Sequence, residues 1–158
     1  MEIRLAAPGD LDGWMALVEQ VRDSFPGLET REAMEEHRNT VRSFMARQEA
    51  ICAAESGAVK GALLFSREAG ELCFLAVDGS CRRRHIARRM VERMLALLGP
   101  EREITVTTYR AGVPEGAAAR AFYKRMGFEE GRLTEEFGSP VQEFRRPGNR
   151  NIFPETEA

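Results

Sequence analysis

Residues 71–77, ELCFLAV, are apolar at both alternating sets of positions, and no other segment limits the fold so closely. A strand that alternates apolar with polar needs cover on one face, whereas a strand apolar throughout needs cover on both. The run predicts a central strand with helices above and below it. Asp78, Gly79 and Ser80 end it. Residues 84–98 then carry Ile86, Met90, Met94 and Leu97 at helical spacing, beside Ala87, Val91 and Leu98, and Gly99-Pro100 stops the helix.

Around this pair the other elements follow from periodicity. Ile3 and Leu5 alternate with polar neighbours, which predicts a strand over 2–7, and Asp10 is placed to cap the helix bearing Leu11, Trp14, Val18 and Val21. SFPG at 24–27 breaks that helix. A second runs from near Thr30 to Gln48 with Met34, Val41 and Met45 inward, and its histidine, His37, is placed on the charged outer face. Residues 49–55 and 58–67 flank Ser56-Gly57 as a hairpin, and 102–108 make a further strand. AAARAFYKRM, 117–126, is a short helix ended by Gly127, and two strands surround FGSP. No repeat or linker interrupts this order, so residues 1–147 are expected to form one mixed α/β domain, with 148–158 as a tail poor in core residues.

The chain has 158 residues, 43% hydrophobic and 30% charged, and a net charge of -2. That balance gives no overall field favouring nucleic acid or an anionic membrane. Three cysteines, Cys52, Cys73 and Cys81, show no pairing pattern, and no apolar run is long enough for a leader or a membrane span, so a cytoplasmic protein is expected. Two histidines and unclustered cysteines predict no metal site.

Against this acidic background, residues 81–93, CRRRHIARRMVER, hold six arginines. Arg88, Arg89 and Arg93 are explained as the wet face of an amphipathic helix, with Arg88 able to pair with Glu92. Arg82, Arg83 and Arg84 are not, because cations at a helix N-terminus oppose its macrodipole. A bound anion would offset them, since the free N–H groups there already favour phosphate.

These residues, in this order, resemble the GNAT superfamily of acyl-CoA-dependent N-acyltransferases. Its cofactor motif is matched by Leu75, Ala76 and Val77, followed by Arg82, Arg83, Arg84, His85, Ile86 and Ala87. Its second signature is matched in ARAFYKRMGF by Ala119, Tyr123, Gly127 and Phe128. The resemblance covers residues 2 to about 146 and implies a mixed, mostly antiparallel central sheet flanked by helices on both faces. His85 stands where the family usually has Gly, a position at the start of a helix that is expected to need no positive φ, and Gly116 stands where it often has Asn.

The resemblance further implies transfer of an acetyl group from acetyl-CoA, as cosubstrate, to a primary amine of a small molecule or peptide. Tyr123 would protonate the departing thiolate, and Glu71 or a water chain would take the amine proton. Phe122, the neighbour better suited to the core, joins Arg88 and the motif residues as cofactor-binding. Phe25, Glu29, Glu135, Glu136 and Phe137 would form an acidic, partly apolar acceptor mouth. Cys81 is the residue for a covalent route, which the family does not ordinarily use. Two other readings remain open: a CoA-binding sensor without turnover, and a basic-patch nucleic-acid module. The protein is expected to be a monomer or homodimer.

Overall fold

The computed structural model describes residues 1–81 and 84–148. Arg82, Arg83 and the tail beyond Gly148 lie outside these residues. Seven strands form one sheet: β1 (Glu2–Leu5), β2 (Ala50–Glu55), β3 (Ala58–Ser66), β4 (Glu71–Val77), β5 (Ile104–Tyr109), β6 (Glu129–Glu136) and β7 (Ser139–Arg146). Their order is β1-β2-β3-β4-β5-β7-β6, with only the β4–β5 pair parallel. Four helices, α1 (Leu11–Val21), α2 (Arg31–Ala46), α3 (Ile86–Leu98) and α4 (Ala117–Arg125), complete the layers. This is the mixed, mostly antiparallel sheet that the resemblance implies.

Strand alternation sorts the core into two halves. Ile51, Leu63, Phe65, Ile104, Val106 and Phe144 meet Ile86, Met90, Met94 and Tyr123 of α3 and α4. Ala50, Cys52, Ala62 and Leu64 meet Trp14, Leu17, Val18, Val41 and Met45 of α1 and α2. Gly61 lets α3 approach β3, for a Cβ there would meet the end of the Met90 side chain and Ile86. Leu97, expected on the inward stripe of α3, remains exposed.

Local signals are used as the sequence suggests, with one exception. Thr30 caps α2 by accepting from the Ala33 N–H at 3.0 Å, and the β2–β3 hairpin turns on Ser56 and Gly57, both at positive φ. Asp10 occupies the N-cap of α1 but does not cap it. Its carboxylate turns back to accept from the Arg4 guanidinium at 2.8 and 3.0 Å and from the Ala7 N–H at 2.7 Å, pinning β1 to the helix entry.

The largest departure concerns β4, which is central but not sealed. Cys73 is exposed and Phe74, Leu75 and Val77 are half-buried. Along β3, Leu64 faces Phe74 and Phe65 faces Leu72, so Cys73 is an extra residue in β4. Such a bulge bends its strand. On the other edge β4 pairs with β5 only at Glu71–Thr105 and Leu72–Val106. The strands part where the bulge begins, so the apolar run lines an opening instead of a closed core.

Gly116, just ahead of α4, is needed for a steric reason, since a Cβ at this position would run into the Cβ and ring of Tyr109. Gly116→Asn, the residue the family often carries, is expected to cost about 1–3 kcal/mol through overpacking. Urea denaturation checks this; an unchanged midpoint would contradict it.

Candidate active site

The parting of β4 and β5 opens a cavity of about 540 Å³. Leu75, Val106, Ala119 and Tyr123 wall it on the α3/α4 side, and Phe25, Leu28, His37, Phe44 and Phe74 on the α1/α2 side. Beyond Leu72, alternate amides on the β5-facing edge of β4 have no strand partner in β5, which leaves hydrogen-bonding groups directed into the wedge.

Tyr123 enters from α4, packed edge-on against Phe122 and Phe128 and tilted against Phe144. It is the more buried of the Phe122–Tyr123 pair, the reverse of the sequence expectation, with Phe122 only partly buried against the same core. Burial pushes the Tyr123 phenol well above its usual pKa, so it stays protonated across the neutral range. Behind it, Arg120 is buried, donating to the Tyr109 carbonyl and the Gln142 amide oxygen at 2.8 Å each, pairing with Glu130 and lying over the Phe144 ring. These contacts fasten α4 to β5, β6 and β7. The sequence reading missed Arg120, although it lies one turn before Tyr123 on the same helix face.

At the other end of β4, Asp78 organises the loop into α3 by accepting from the Ser80 N–H and hydroxyl at 2.8 and 2.7 Å. His85 precedes α3 at φ 58 and ψ 29, a left-handed conformation. Contrary to expectation, this position does require positive φ, which accounts for the family's glycine there. Ile86 sends its side chain into the core, so only its backbone faces the loop. Arg84 holds Glu55 through two hydrogen bonds, 2.8 and 3.1 Å, and with the N-terminal ammonium 3.6 Å away the Glu55 carboxyl falls to about 2. Arg88 pairs with Glu92 at 3.2 Å. Arg82 and Arg83 lie outside the described residues.

The acceptor-side expectations hold in part. Phe25, Glu136 and Phe137 line the cavity, whereas Glu29 and Glu135 are exposed outside its lining. Glu36 and Glu115 join Glu136, and among the described residues no lysine or arginine lines the space. Glu136 counts as exposed, yet its carboxyl is held above the ordinary range by the protein crowded around the mouth and by nearby Glu71. Glu71 itself opens β4 where the strands still pair, with its carboxylate 3.8 Å from the Cys73 sulfur. The Cys73 thiol is pushed up to about 12 by its surroundings and by Glu71, so it is no nucleophile at neutral pH. Cys81 is buried beside Ser80 and Arg84 and does not line the cavity.

His37 overturns its expected place on the outer face. It lines the cavity with its ring 4.8 Å from Phe74, and burial lowers its pKa. Its Nε2 is buried with no hydrogen-bond partner among the described residues.

Comparisons agree with this geometry. A family model described as an acetyltransferase (GNAT) domain matches residues 44–130, over half of the chain. An N-acetyltransferase from Staphylococcus aureus Mu50 superposes with a TM-score of 0.73 at 16% identity, covering 92% of this chain and 100% of the other. A ribosomal-protein-alanine N-acetyltransferase from Brucella melitensis gives 0.71 at 16%, covering 93% and 99%. The PaiA N-acetyltransferase from Thermoplasma acidophilum, in complex with coenzyme A, gives 0.68 at 14%, covering 92% and 98%. Identities this low show a shared fold. A search of curated proteins finds no significant match.

Left-handed backbone costs an L-residue about 1–2 kcal/mol, partly offset in a Gly variant by the freer unfolded chain. His85→Gly is therefore expected to raise the melting temperature by about 1–4 °C. A fall in melting temperature would show that the His85 side chain contributes contacts worth more than this strain.

Proposed function

The chain belongs to the GNAT acetyltransferase family and is an acyltransferase by that membership; from this premise we propose that it moves an acetyl group from acetyl-CoA to a primary amine by direct attack. The observation that carries the reading is the wedge between β4 and β5, whose unpaired amides and continuous cavity meet a protonated phenol on one side and carboxylates on the other. The donor fits this chain in two further ways. The start of α3 offers free N–H groups beside Arg84, and the pantetheine arm has the open edge of Leu75–Val77 to lie along.

The thioester, when bound, supplies the acyl carbon to which the amine nitrogen bonds as the carbon–sulfur bond breaks. Open-edge amides of β4 stabilise the charge that gathers on the carbonyl oxygen. Tyr123 holds a proton for the departing sulfur, which otherwise leaves as a thiolate conjugate to a thiol of pKa about 8.5. The ammonium form of an amine, with a pKa of about 10.4, must first lose its proton. Glu136 takes it, its basicity raised chiefly by the protein crowded around it and further by nearby Glu71. Glu71 thus acts through Glu136, a narrower role than the direct base implied by the resemblance.

Tyr123→Phe keeps the buried ring, so acetyl-CoA should still raise the melting temperature while turnover falls about 100-fold or more. A thermal-shift titration paired with a thiol-release assay reads both. No shift with acetyl-CoA, CoA or longer acyl-CoAs would sink the donor assignment.

The pH dependence follows from Glu136. A raised carboxyl must ionise before it accepts a proton, so kcat/KM should rise with pH through a limb above the ordinary carboxylate range. Glu71→Gln removes a neighbouring negative charge and should move that limb to lower pH, whereas Glu136→Gln should abolish it. Profiles that superpose for all three proteins would exclude the pair.

A further inference from the structure

We propose that the acceptor is a small arylalkylamine, a primary amine on a flat aromatic body. This rests on the acetyl-transfer reading and adds the substrate class. The α1/α2 end of the cavity is walled by rings: Phe25 and Phe74 lie 4.7 Å apart at 33°, and His37 stands 4.8 Å from Phe74. Leu28 and Phe44 complete that wall. A flat ring is favoured in such surroundings, because offset and tilted aromatic contacts add to the burial of its apolar surface.

Charge fixes the other end of the ligand. The described lining carboxylates are Glu36, Glu115 and Glu136, and no described lysine or arginine opposes them, which suits an ammonium group. His37 adds no competing cation, since its imidazole is neutral at neutral pH, and its Nε2 is buried without a hydrogen-bond partner among the described residues. A long polyamine would bring further cations to the α1/α2 end, where Glu36 is the one described lining carboxylate, and each cation beyond it would lie against Phe25, Phe44 and Phe74 with its charge uncompensated.

Size is limited by the roof. The Tyr109 hydroxyl donates to the Ser24 carbonyl at 3.0 Å, tying β5 to the segment between α1 and α2. The Phe137 ring, at the tip of the β6–β7 hairpin, lies against Gly27, where an added Cβ would come within 3.1 Å of it. Phe137 is held at φ 52, an unusual backbone for an aromatic residue, and is 73% exposed on its outer side. These two links join residues that line the cavity, β5 to the α1/α2 segment and the β6–β7 hairpin to Gly27, which favours a small acceptor over a bulky one.

The test uses the full chain with acetyl-CoA and four acceptors: phenethylamine, tryptamine, spermidine and an alanine-initiated hexapeptide. The two arylalkylamines should show kcat/KM at least about tenfold above the others. Phe74→Ala and, separately, Phe25→Ala should raise KM for phenethylamine about tenfold while the acetyl-CoA thermal shift persists, which certifies folding. Preference for spermidine or the peptide overturns the inference and leaves acetyl transfer standing. So does wild-type KM in both folded variants, whereas an acetyl-CoA shift with no amine turned over overturns the inference and favours a CoA-binding sensor over transfer. Absence of any acetyl-CoA shift together with no turnover overturns the transfer reading and this inference with it.

Discussion

The parting of β4 from β5 after Leu72 is the constraint on which the rest depends. An extra residue in β4, Cys73, bends the strand away after only two paired positions. The sheet survives the split because each strand is anchored on its other edge. β3 pairs with β4 from Glu71 to Val77, and β7 pairs with β5 from Ile104 to Tyr109. The crossing of β7 between β5 and β6 is what provides that second anchor. Aromatic packing around Tyr123 and the Arg120 network then hold the far wall in place.

Charge is divided along the same opening. In sequence, arginines cluster at 82–84 just ahead of α3, whose N-terminal backbone attracts anions, while Glu36, Glu115 and Glu136 line the cavity. A net charge of -2 conceals this polarity. Two of the four described arginines of the run have carboxylate partners, Arg84 with Glu55 and Arg88 with Glu92, so a phosphate that used these two would have to share or displace partners already in place. The exposed Arg88–Glu92 pair offers little resistance, as surface ion pairs contribute little to stability.

Several site residues were legible because their chemistry and spacing agree. Leu75–Val77 before an arginine-rich helix, and Tyr123 before Gly127-Phe128, carry the family resemblance by themselves. His37 was open to detection and misplaced: it falls three residues after Met34 and four before Val41, on the inward stripe of α2, but its polarity and charged neighbours argued for solvent. Arg120 was hidden for a similar reason, since a buried guanidinium becomes reasonable only once Glu130, Gln142 and the Tyr109 carbonyl, distant in sequence, converge on it. His85 shows the opposite case, in which the unusual residue was evident and the backbone demand behind it was not.

The sequence by itself determined the elements, their order and the family, because periodicity, turn residues and short motifs are local and each element carries its own signal. Tertiary structure decided which residues meet. Pairing at two positions instead of seven turned an apolar strand into a cavity wall, and the same split brought α2, β4 and the β6–β7 hairpin around one space. The aromatic and acidic character of that space is a property of residues 25, 37, 74 and 136 together. No local pattern encodes it, because their proximity depends on long-range strand order and on where a single bulge falls.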